Sequence, residues 1–255
     1  MSREGAGVRL LPDDRIASTV VSVTGTLDLA GYPHLRDDLL KIATDAPESV
    51  IADIDGLVIA DAALASVFSV VAARMSDWPG IPFTLVTSRP EQLALLAGQS
   101  IDRFVGVHAD VRTAERERDH PPRRRAVQLL AATDSASALA RQFITRVCAE
   151  WGIPEHTDDA LLIGTELVEN AIRHTVSSPR LRLELRRGVF TVAVGDEDPR
   201  PAVLREWPRG GDSGLGLMLV AQVARVWGCS RSWSGGKVVW AVLTGRTRLR
   251  AFPGA

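Results

Sequence analysis

A glycine-rich segment, GGDSGLGL at residues 210–217, has the composition of a loop that approaches a phosphate group. Glycines let the backbone come close to a ligand, and the start of a helix presents free amides and the positive end of its dipole. The segment has no Walker lysine and does not follow a strand as a dinucleotide fingerprint should, so it matches neither common phosphate motif. A flexible glycine loop without any ligand has the same composition, so the segment alone decides little.

Asp196 is a second residue whose position suggests a ligand. Phe190, Val192 and Val194 alternate along a predicted strand and share one face, and Asp196 continues that alternation. A carboxylate on the apolar side of a sheet costs free energy unless it meets a donor. A ligand amino group would serve, and so would a loop amide. A simple turn aspartate is the alternative interpretation.

Glu166 and Asn170 form a third polar feature, four residues apart in a segment with helical periodicity. Residues at this spacing lie on one face of a helix, about one turn from each other. Ile163, Leu167 and Ala171 supply the apolar face, so the polar pair is not directed at the core. Taken alone, the pair more simply indicates a solvated stripe with a side-chain hydrogen bond.

The elements that must position these residues follow one order in the second half of the chain. A helix ending at Gly152 precedes a second helix at about residues 158–175. Two alternating strands, 181–187 and 189–194, form a hairpin at Gly188. A helix opens near residue 215 and stops at Gly228, and residues 238–243 form the last strand. We predict an α/β sandwich with helices on one face of a mixed sheet.

The first half alternates strands with helices, which predicts another α/β sheet, covered mainly on one side. The strands are predicted at residues 18–23, 50–54 and 82–87, and the helices at 32–43, 62–75 and 93–96. The sequence ERERDHPPRRR at residues 115–125 has no aliphatic side chain and is predicted to be a linker. The resulting domains are residues 1–114 and 126–247, followed by a tail at 248–255.

The composition excludes several functional classes. Lys plus Arg total 30 and Asp plus Glu total 31, so no overall basic field points to nucleic acid or an anionic membrane. The basic run at residues 123–125 is interpreted as part of the solvated linker. Cys148 and Cys229 lack metal-binding spacing and predict a reduced protein. No signal peptide or membrane span is recognised, so we expect a soluble, cytoplasmic protein.

The three polar features resemble a known family when they are taken together. ELVENAIRHT (166–175), VGDEDP (194–199) and SGLGLMLV (213–220) resemble the N, G1 and G2 boxes of the GHKL ATPases. The resemblance spans about residues 123–243. It is strongest to the anti-sigma-factor serine kinases of bacterial partner-switching systems, notably their actinobacterial branch. The phrase Gly235-Gly236-Lys237 resembles that branch too.

This resemblance implies cofactors and residue roles. The implied cofactors are ATP and Mg²⁺, with Asn170 as the magnesium ligand, Glu166 as the general base and Asp196 as the acceptor for the adenine amino group. Residues 199–213 would form a mobile lid. The other implied nucleotide-binding residues are Arg173, His174, Gly211, Ser213, Gly214, Leu215, Gly216 and Leu217.

Two residues depart from the family pattern. Asp198-Pro199 stands where many GHKL proteins have Gly-x-Gly, and Val238 stands where the family usually has a threonine that helps hold adenine. The second departure implies weaker nucleotide binding. Neither departure removes the implied base or the implied magnesium ligand.

Residues 15–114 resemble a STAS domain, the fold of anti-sigma factor antagonists. The matching phrases are TGTLDL (24–29), the apolar run at 50–57 and DAAL (61–64). In phosphorylatable antagonists the last phrase carries a serine or threonine that accepts phosphate, whereas Ala62 and Ala63 offer no oxygen. Asp61 remains as a helix N-cap.

The sequence therefore predicts an ATP-binding regulator of a partner-switching system that acts as a serine/threonine-protein kinase with a built-in STAS docking domain. The predicted partners are a sigma factor, a STAS antagonist or both, with a STAS–GHKL contact within one chain or across a homodimer. The alternative is a non-catalytic scaffold of the same fold that binds nucleotide weakly or not at all.

Overall fold

The structure is a computed structural model that describes residues 7–16, 18–45, 48–117, 123–175, 177–202 and 215–244. The chain divides into two compact units, and the boundary falls between Asp119 and His120. Each unit contains a sheet and a set of helices, which confirms the predicted α/β fold class. No described helix is long and apolar enough to cross a bilayer.

The first unit has a sheet in the order β1-β2-β3-β5-β6, with β4 also paired to β2. Strand β1 is antiparallel to β2, and the remaining pairings are parallel. Its elements are β1 (Arg9–Asp14), β2 (Thr19–Leu27), α1 (Gly31–Thr44), β3 (Val50–Asp53), β4 (Leu57–Ile59), α2 (Ser66–Asp77), β5 (Phe83–Val86), α3 (Pro90–Gly98), β6 (Gly106–His108) and α4 (Val111–Glu117).

The faces of this sheet are covered unequally. Leu35 of α1, Phe68 of α2 and Leu96 of α3 belong to one large buried cluster with alternate strand residues. A small second cluster joins Ala114 of α4 to Val20, among others, on the opposite face. The sheet is thus covered mainly on one side, and α4 closes part of the other.

The second unit has a five-stranded sheet in the order β10-β11-β9-β8-β7. All four described pairings are antiparallel, whereas the sequence analysis expects a mixed sheet here. Short turns account for two of these pairings, β8 with β9 and β10 with β11. Its elements are β7 (Arg123–Leu129), α5 (Ala136–Trp151), α6 (Thr157–His174), β8 (Arg180–Arg186), β9 (Val189–Asp196), α7 (Leu215–Val223), β10 (Val226–Arg231) and β11 (Lys237–Thr244).

Helices α5, α6 and α7 bury their apolar sides against one face of this sheet. Phe143, Ile163 and Val220 share a cluster with Val192 and Ala241. The amphipathic α6 follows the predicted pattern, because its buried residues include Ile163, Leu167 and Ala171. One face of the sheet therefore fixes the position of α6 and of the polar residues that it carries.

Two segments differ from the sequence prediction. Helix α7 ends at Val223, and Gly228 lies within β10 opposite Trp240, where an added Cβ would clash with the indole ring. A close approach of two strands, and not a helix stop, explains that glycine. The predicted linker at 115–125 supplies the end of α4 and the start of β7.

The arginine run joins the sheet because β8 offers both a backbone ladder and a charge partner. Arg123 donates from Nη2 to Glu184 Oε1 at 2.7 Å, and Nε of Arg125 lies 3.4 Å from the same oxygen. Glu184 also lies beside Arg182, whose burial lowers the pKa of its guanidinium to about 10. This carboxylate gives the basic run a structural role that its composition alone does not reveal.

Candidate functional site

Helix α6 places Glu166 and Asn170 on one face, next to the buried face formed by Ile163, Leu167 and Ala171. Both polar side chains are half-buried. Their spacing predicts this arrangement, and the structure adds that the face is partly covered by neighbouring elements and is not a fully solvated stripe. Partial burial matters chemically because it strengthens the electrostatic interactions of a carboxylate or an amide with a ligand.

The start of α7 lies directly against Glu166. A Cβ added to Gly216 would collide with Glu166 Oε2 and lie 3.3 Å from its Cδ. Any larger residue at position 216 would force the Glu166 carboxylate to move, so glycine is required for the observed position of that carboxylate. Gly216, the described glycine of the glycine-rich segment, and the acidic residue of α6 are far apart in sequence and therefore meet only through the fold.

The environment of Glu166 raises the pKa of its carboxyl above the ordinary value. Burial is the main cause, the nearby Glu169 adds to it, and Arg173 opposes it. A raised pKa brings a carboxylate closer to the range in which it accepts a proton effectively near neutral pH. The same property makes the ionised form costly for the folded state.

We therefore expect Glu166→Gln to unfold at a higher temperature than the natural chain near pH 7. The folded-state pKa lies above the unfolded-state pKa, so the stabilising contribution of the protonated carboxyl is lost as the pH rises through the folded-state value. Glutamine keeps the neutral shape at every pH. Thermal melts from pH 4 to pH 8 check this, and the advantage of the variant should shrink toward pH 4. An advantage that does not change with pH would contradict the proposed cause.

Asp196 ends β9 on the helix-facing side of the sheet, as the alternation predicts, and its side chain is only 1% exposed. Its Oδ1 accepts two hydrogen bonds. One comes from the backbone amide of Asp198 at 2.9 Å, and the other from Nζ of Lys237 at 2.8 Å. The loop amide that the sequence suggests as a donor is therefore present, and it belongs to Asp198. The second donor, Lys237, was not predicted from the sequence.

Lys237 begins β11 and is the Cα partner of Asp196 in the ladder between β9 and β11. Its side chain is 4% exposed, and it also donates to the carbonyl oxygen of Asp198 at 3.1 Å. The signal available in the sequence was the alternation of Lys237 with the apolar Val239 and Ala241. Gly236 precedes it with a positive φ of 76°, and a Cβ there would collide with the Asp196 carbonyl.

Asp198 extends this polar end of the site. Both of its carboxylate oxygens accept hydrogen bonds from Nε of Arg200 at 3.0 Å, and Nη2 of Arg200 lies 2.9 Å from Oδ2. The side-chain and backbone hydrogen bonds of Arg200, with the positive charge of Lys237 nearby, lower the pKa of Asp198 to about 2. Asp198 is therefore an anion at any physiological pH.

A cavity of about 220 Å³ lies between α6, the start of α7 and the end of the sheet. Its size and its mixed polar lining suit part of a small-molecule ligand. The lining includes Asn170 and His174 of α6, Asp198 and Arg200 after β9, Leu217 of α7 and Lys237 of β11. The cavity brings the predicted magnesium ligand into one space with Asp198 and Arg200, which follow β9, whereas Asp196 lines a second cavity that shares Lys237.

The remaining predicted site residues are placed as follows. Arg173 and His174 are exposed at the end of α6, and His174 lines the cavity. Leu215 begins α7, although its side chain is outside the description. Of the predicted lid at 199–213, the described residues are 199–202. Gly211, Ser213 and Gly214 lie outside the described residues.

The fit of ATP and Mg²⁺ differs between the two ends of the site. At one end, Asn170 faces the cavity and Glu166 lies against the glycine at the start of α7, a donor set that suits a hydrated magnesium ion and its phosphates. At the other end, Lys237 already donates to Oδ1 of the carboxylate that the adenine amino group would use. Within the described residues, no group of three or more His, Cys, Asp or Glu side chains is arranged to hold a metal on its own.

The fold and site of the second unit define a two-layer α/β domain with a ligand cavity between its helices and the end of its sheet. Residues 130–243 match the family model of the histidine kinase-like ATPase domain. This part of the chain is similar to that family, as its three boxes predict. ATP binding is the property that the family implies.

Solved structures similar to the chain include three STAS-type proteins. An anti-sigma factor antagonist from Mycobacterium paratuberculosis is 19% identical, covering 46% of this chain and 100% of its own, with a TM-score of 0.37. An RsbS variant from Moorella thermoacetica is 23% identical, covering 41% and 89%, with a TM-score of 0.34. The Bacillus cell fate determinant SpoIIAA, phosphorylated, is 13% identical, covering 43% and 100%, with a TM-score of 0.33.

No curated protein matches the chain at a significant level. The family model matches the predicted GHKL-type ATPase domain of the second unit.

Proposed function

We propose that this chain is an ATP-binding regulator of a partner-switching system and acts as an anti-sigma-factor-like serine/threonine-protein kinase. Two findings support the proposal: the histidine kinase-like ATPase family of residues 130–243, and the STAS-like sequence of residues 15–114. The client is a STAS antagonist with a serine or threonine at the position of Ala63, and the second partner is a sigma factor.

One observation carries this proposal: Glu166 and Asn170 share a face of α6, and Glu166 lies against Gly216 in the first turn of α7. Bound Mg²⁺ would supply positive charge that stabilises the transferred phosphoryl group. Asn170 would hold the ion, and Glu166, with its raised pKa, would accept the proton of the attacking serine hydroxyl. The cavity would exclude part of the surrounding water from these groups.

The STAS-like unit would act as a docking module that cannot be switched at the usual position. Asp61 caps the short 3₁₀ helix Ala62–Ala65, accepting the amide of Ala63 at 2.8 Å, and both Ala62 and Ala63 are exposed. An exposed hydroxyl at this place would be open to a kinase. A methyl group is not, so no negative charge can be added there to release a bound partner.

A non-catalytic scaffold is the second candidate, and the ion pair between Asp196 and Lys237 favours it. A domain whose base-binding carboxylate is already paired with a lysine would keep the fold for protein binding and bind nucleotide weakly. The intact Glu166 and Asn170 favour the kinase.

Calorimetry of the full chain with ATP and Mg²⁺, followed by radiolabelled phosphate transfer to candidate STAS proteins, separates the two functions. Binding with transfer supports the kinase, and binding without transfer to any serine-bearing STAS protein supports the scaffold. No nucleotide binding under any condition would rule out both the kinase and the ATP-binding regulator.

We expect Ala63→Ser to create a phosphorylation site on the chain when ATP and Mg²⁺ are present. The natural chain should gain no label at this position, because alanine has no acceptor oxygen. Peptide mass spectrometry after incubation checks the result, with Ala62→Ser as a matched control that places the same hydroxyl one residue away. Equal labelling of both variants would show that the surface is exposed but not specifically recognised.

A further inference from the structure

The interaction between Asp196 and Lys237 is built into the sheet. The two residues are direct partners in the ladder between β9 and β11 and face the same side. Side chains opposite each other on paired strands are close enough to interact strongly. With 1% and 4% side-chain exposure, neither charge is compensated by bulk water, so each depends on the other.

The carboxylate has donors before any ligand arrives. Oδ1 of Asp196 accepts from Nζ of Lys237 at 2.8 Å and from the amide of Asp198 at 2.9 Å. An ammonium donor forms a stronger bond to a carboxylate than a neutral donor does. An adenine amino group is neutral, so it is the weaker competitor for this oxygen.

Building on the nucleotide-binding function proposed above, we propose that Lys237 competes with the adenine amino group for Asp196 and thereby sets the affinity and base selectivity of the site. In the natural chain, the adenine amino group then contributes little to the free energy of nucleotide binding. The rest of the nucleotide, held through Asn170 and the phosphate side, supplies most of the binding free energy.

Lys237 has a second place to go if a ligand displaces it. Its Nζ already lies 3.8 Å from Oδ2 of Asp198, and both residues line the cavity that contains Asn170. A small rotation would exchange one carboxylate for the other without leaving the ammonium unpaired. The low pKa of Asp198 keeps that alternative partner ionised. Displacement therefore weakens adenine binding without forbidding it.

The decisive measurement compares ATP with purine riboside triphosphate, which lacks only the amino group, on the natural full chain by calorimetry. A hydrogen bond to a charged group is worth about ten- to hundredfold in affinity. We expect the two dissociation constants to agree within about threefold, because Lys237 already donates to Oδ1 and its charge neutralises the carboxylate that would accept the amino group. A preference for ATP of about tenfold or more would overturn the proposal while leaving nucleotide binding intact.

Lys237→Thr is the complementary variant, since threonine suits a strand and frees the carboxylate. It should bind ATP more tightly than the natural chain and prefer it over purine riboside triphosphate by about tenfold or more. Lys41→Thr, which removes a surface pair with Asp38, is the matched control and should leave both constants unchanged. If neither the natural chain nor Lys237→Thr binds any nucleotide, this inference and the proposed function both fail.

A readout that needs no substitution follows from the sequence, because Lys41 and Lys237 are its only lysines. In a chain labelled with ¹³C-lysine, the ε-methylene signal of Lys237 should shift when ATP is added, and that of Lys41 should not. ATP binding that leaves the Lys237 signal in place would show that the two groups do not compete, and would overturn the inference.

Discussion

Replacing Glu166 by glutamine is expected to lower phosphate transfer to a serine-bearing STAS protein by about 10²-fold or more. Glutamine has nearly the same shape but cannot accept the proton of the attacking hydroxyl. The affinity for ATP should change little, because the glycine at the start of α7 still has room beside the new side chain. Single-turnover assays with radiolabelled ATP measure the transfer step, and calorimetry measures binding separately.

Glu169→Gln is the matched control, since it makes the same chemical change one turn further along α6. Glu169 accepts a hydrogen bond from Ser137 at 3.2 Å, and its replacement should leave transfer within a few-fold of the natural rate. It should also lower the pKa of Glu166 slightly by removing a neighbouring negative charge. The acidic limb of the rate profile should therefore move to lower pH. Equal transfer by the natural chain and Glu166→Gln would show that Glu166 is not the base.

The second large effect is expected at Asn170, where alanine should weaken ATP binding in the presence of Mg²⁺ by about 100-fold. Substitutions that only disturb the partners of a metal ligand cost about 10–100-fold in metal affinity, and removal of the ligand itself should cost no less. Calorimetry of the full chain with ATP and Mg²⁺ measures the loss. Asn170 is half-buried and lines the cavity, so the truncation changes the lining of the cavity more than the core.

The dependence on magnesium makes this test specific. With EDTA in place of Mg²⁺, the natural chain and Asn170→Ala should bind ATP with similar, weak affinities. Asn170→Asp restores an oxygen ligand and should recover part of the magnesium-dependent binding. A loss that is equally large with and without Mg²⁺ would indicate that Asn170 contacts the nucleotide directly or supports the cavity.

The helices and the hairpin of the second unit were predictable because local patterns decide them. Helix α6 spans Thr157–His174 against a prediction of 158–175, and β8 and β9 meet at Gly188, which has a φ of 76°. The helical period of 3.6 residues, the strand period of 2 and the turn glycine are all properties of residues close together in the sequence. For the same reason, Glu166 and Asn170 were recognised as sharing a face.

The errors arise where distant residues decide the conformation. The apolar run that includes Trp227 continues the pattern of α7, but its backbone pairs with β11, and Gly228 is required by the ring of Trp240. Likewise, the basic run at 123–125 has the composition of a linker until Glu184 provides a partner from another strand. Charge and strand pairing across 61 residues cannot be read from a local window.

Lys237 was missed for a related reason. The sequence shows an aspartate that needs a donor, and it also shows a lysine after two glycines, but it does not show that β11 pairs with β9 in the register that joins them. A one-residue shift would have turned the lysine to the other face of the sheet. The register of one strand pair therefore decides how the base end of the site is occupied.

The separation of 41 residues between Asp196 and Lys237 also has a consequence for biosynthesis. A chain grows from its N-terminus, so α6 and β9 are synthesised before β11. Until then, the end of β9 has neither its strand partner nor the cation beside its carboxylate. We infer that a nascent or truncated chain ending before residue 237 presents an unpaired sheet edge with an uncompensated negative charge. Only when β11 has been added can the charge of Asp196 be paired with that of Lys237.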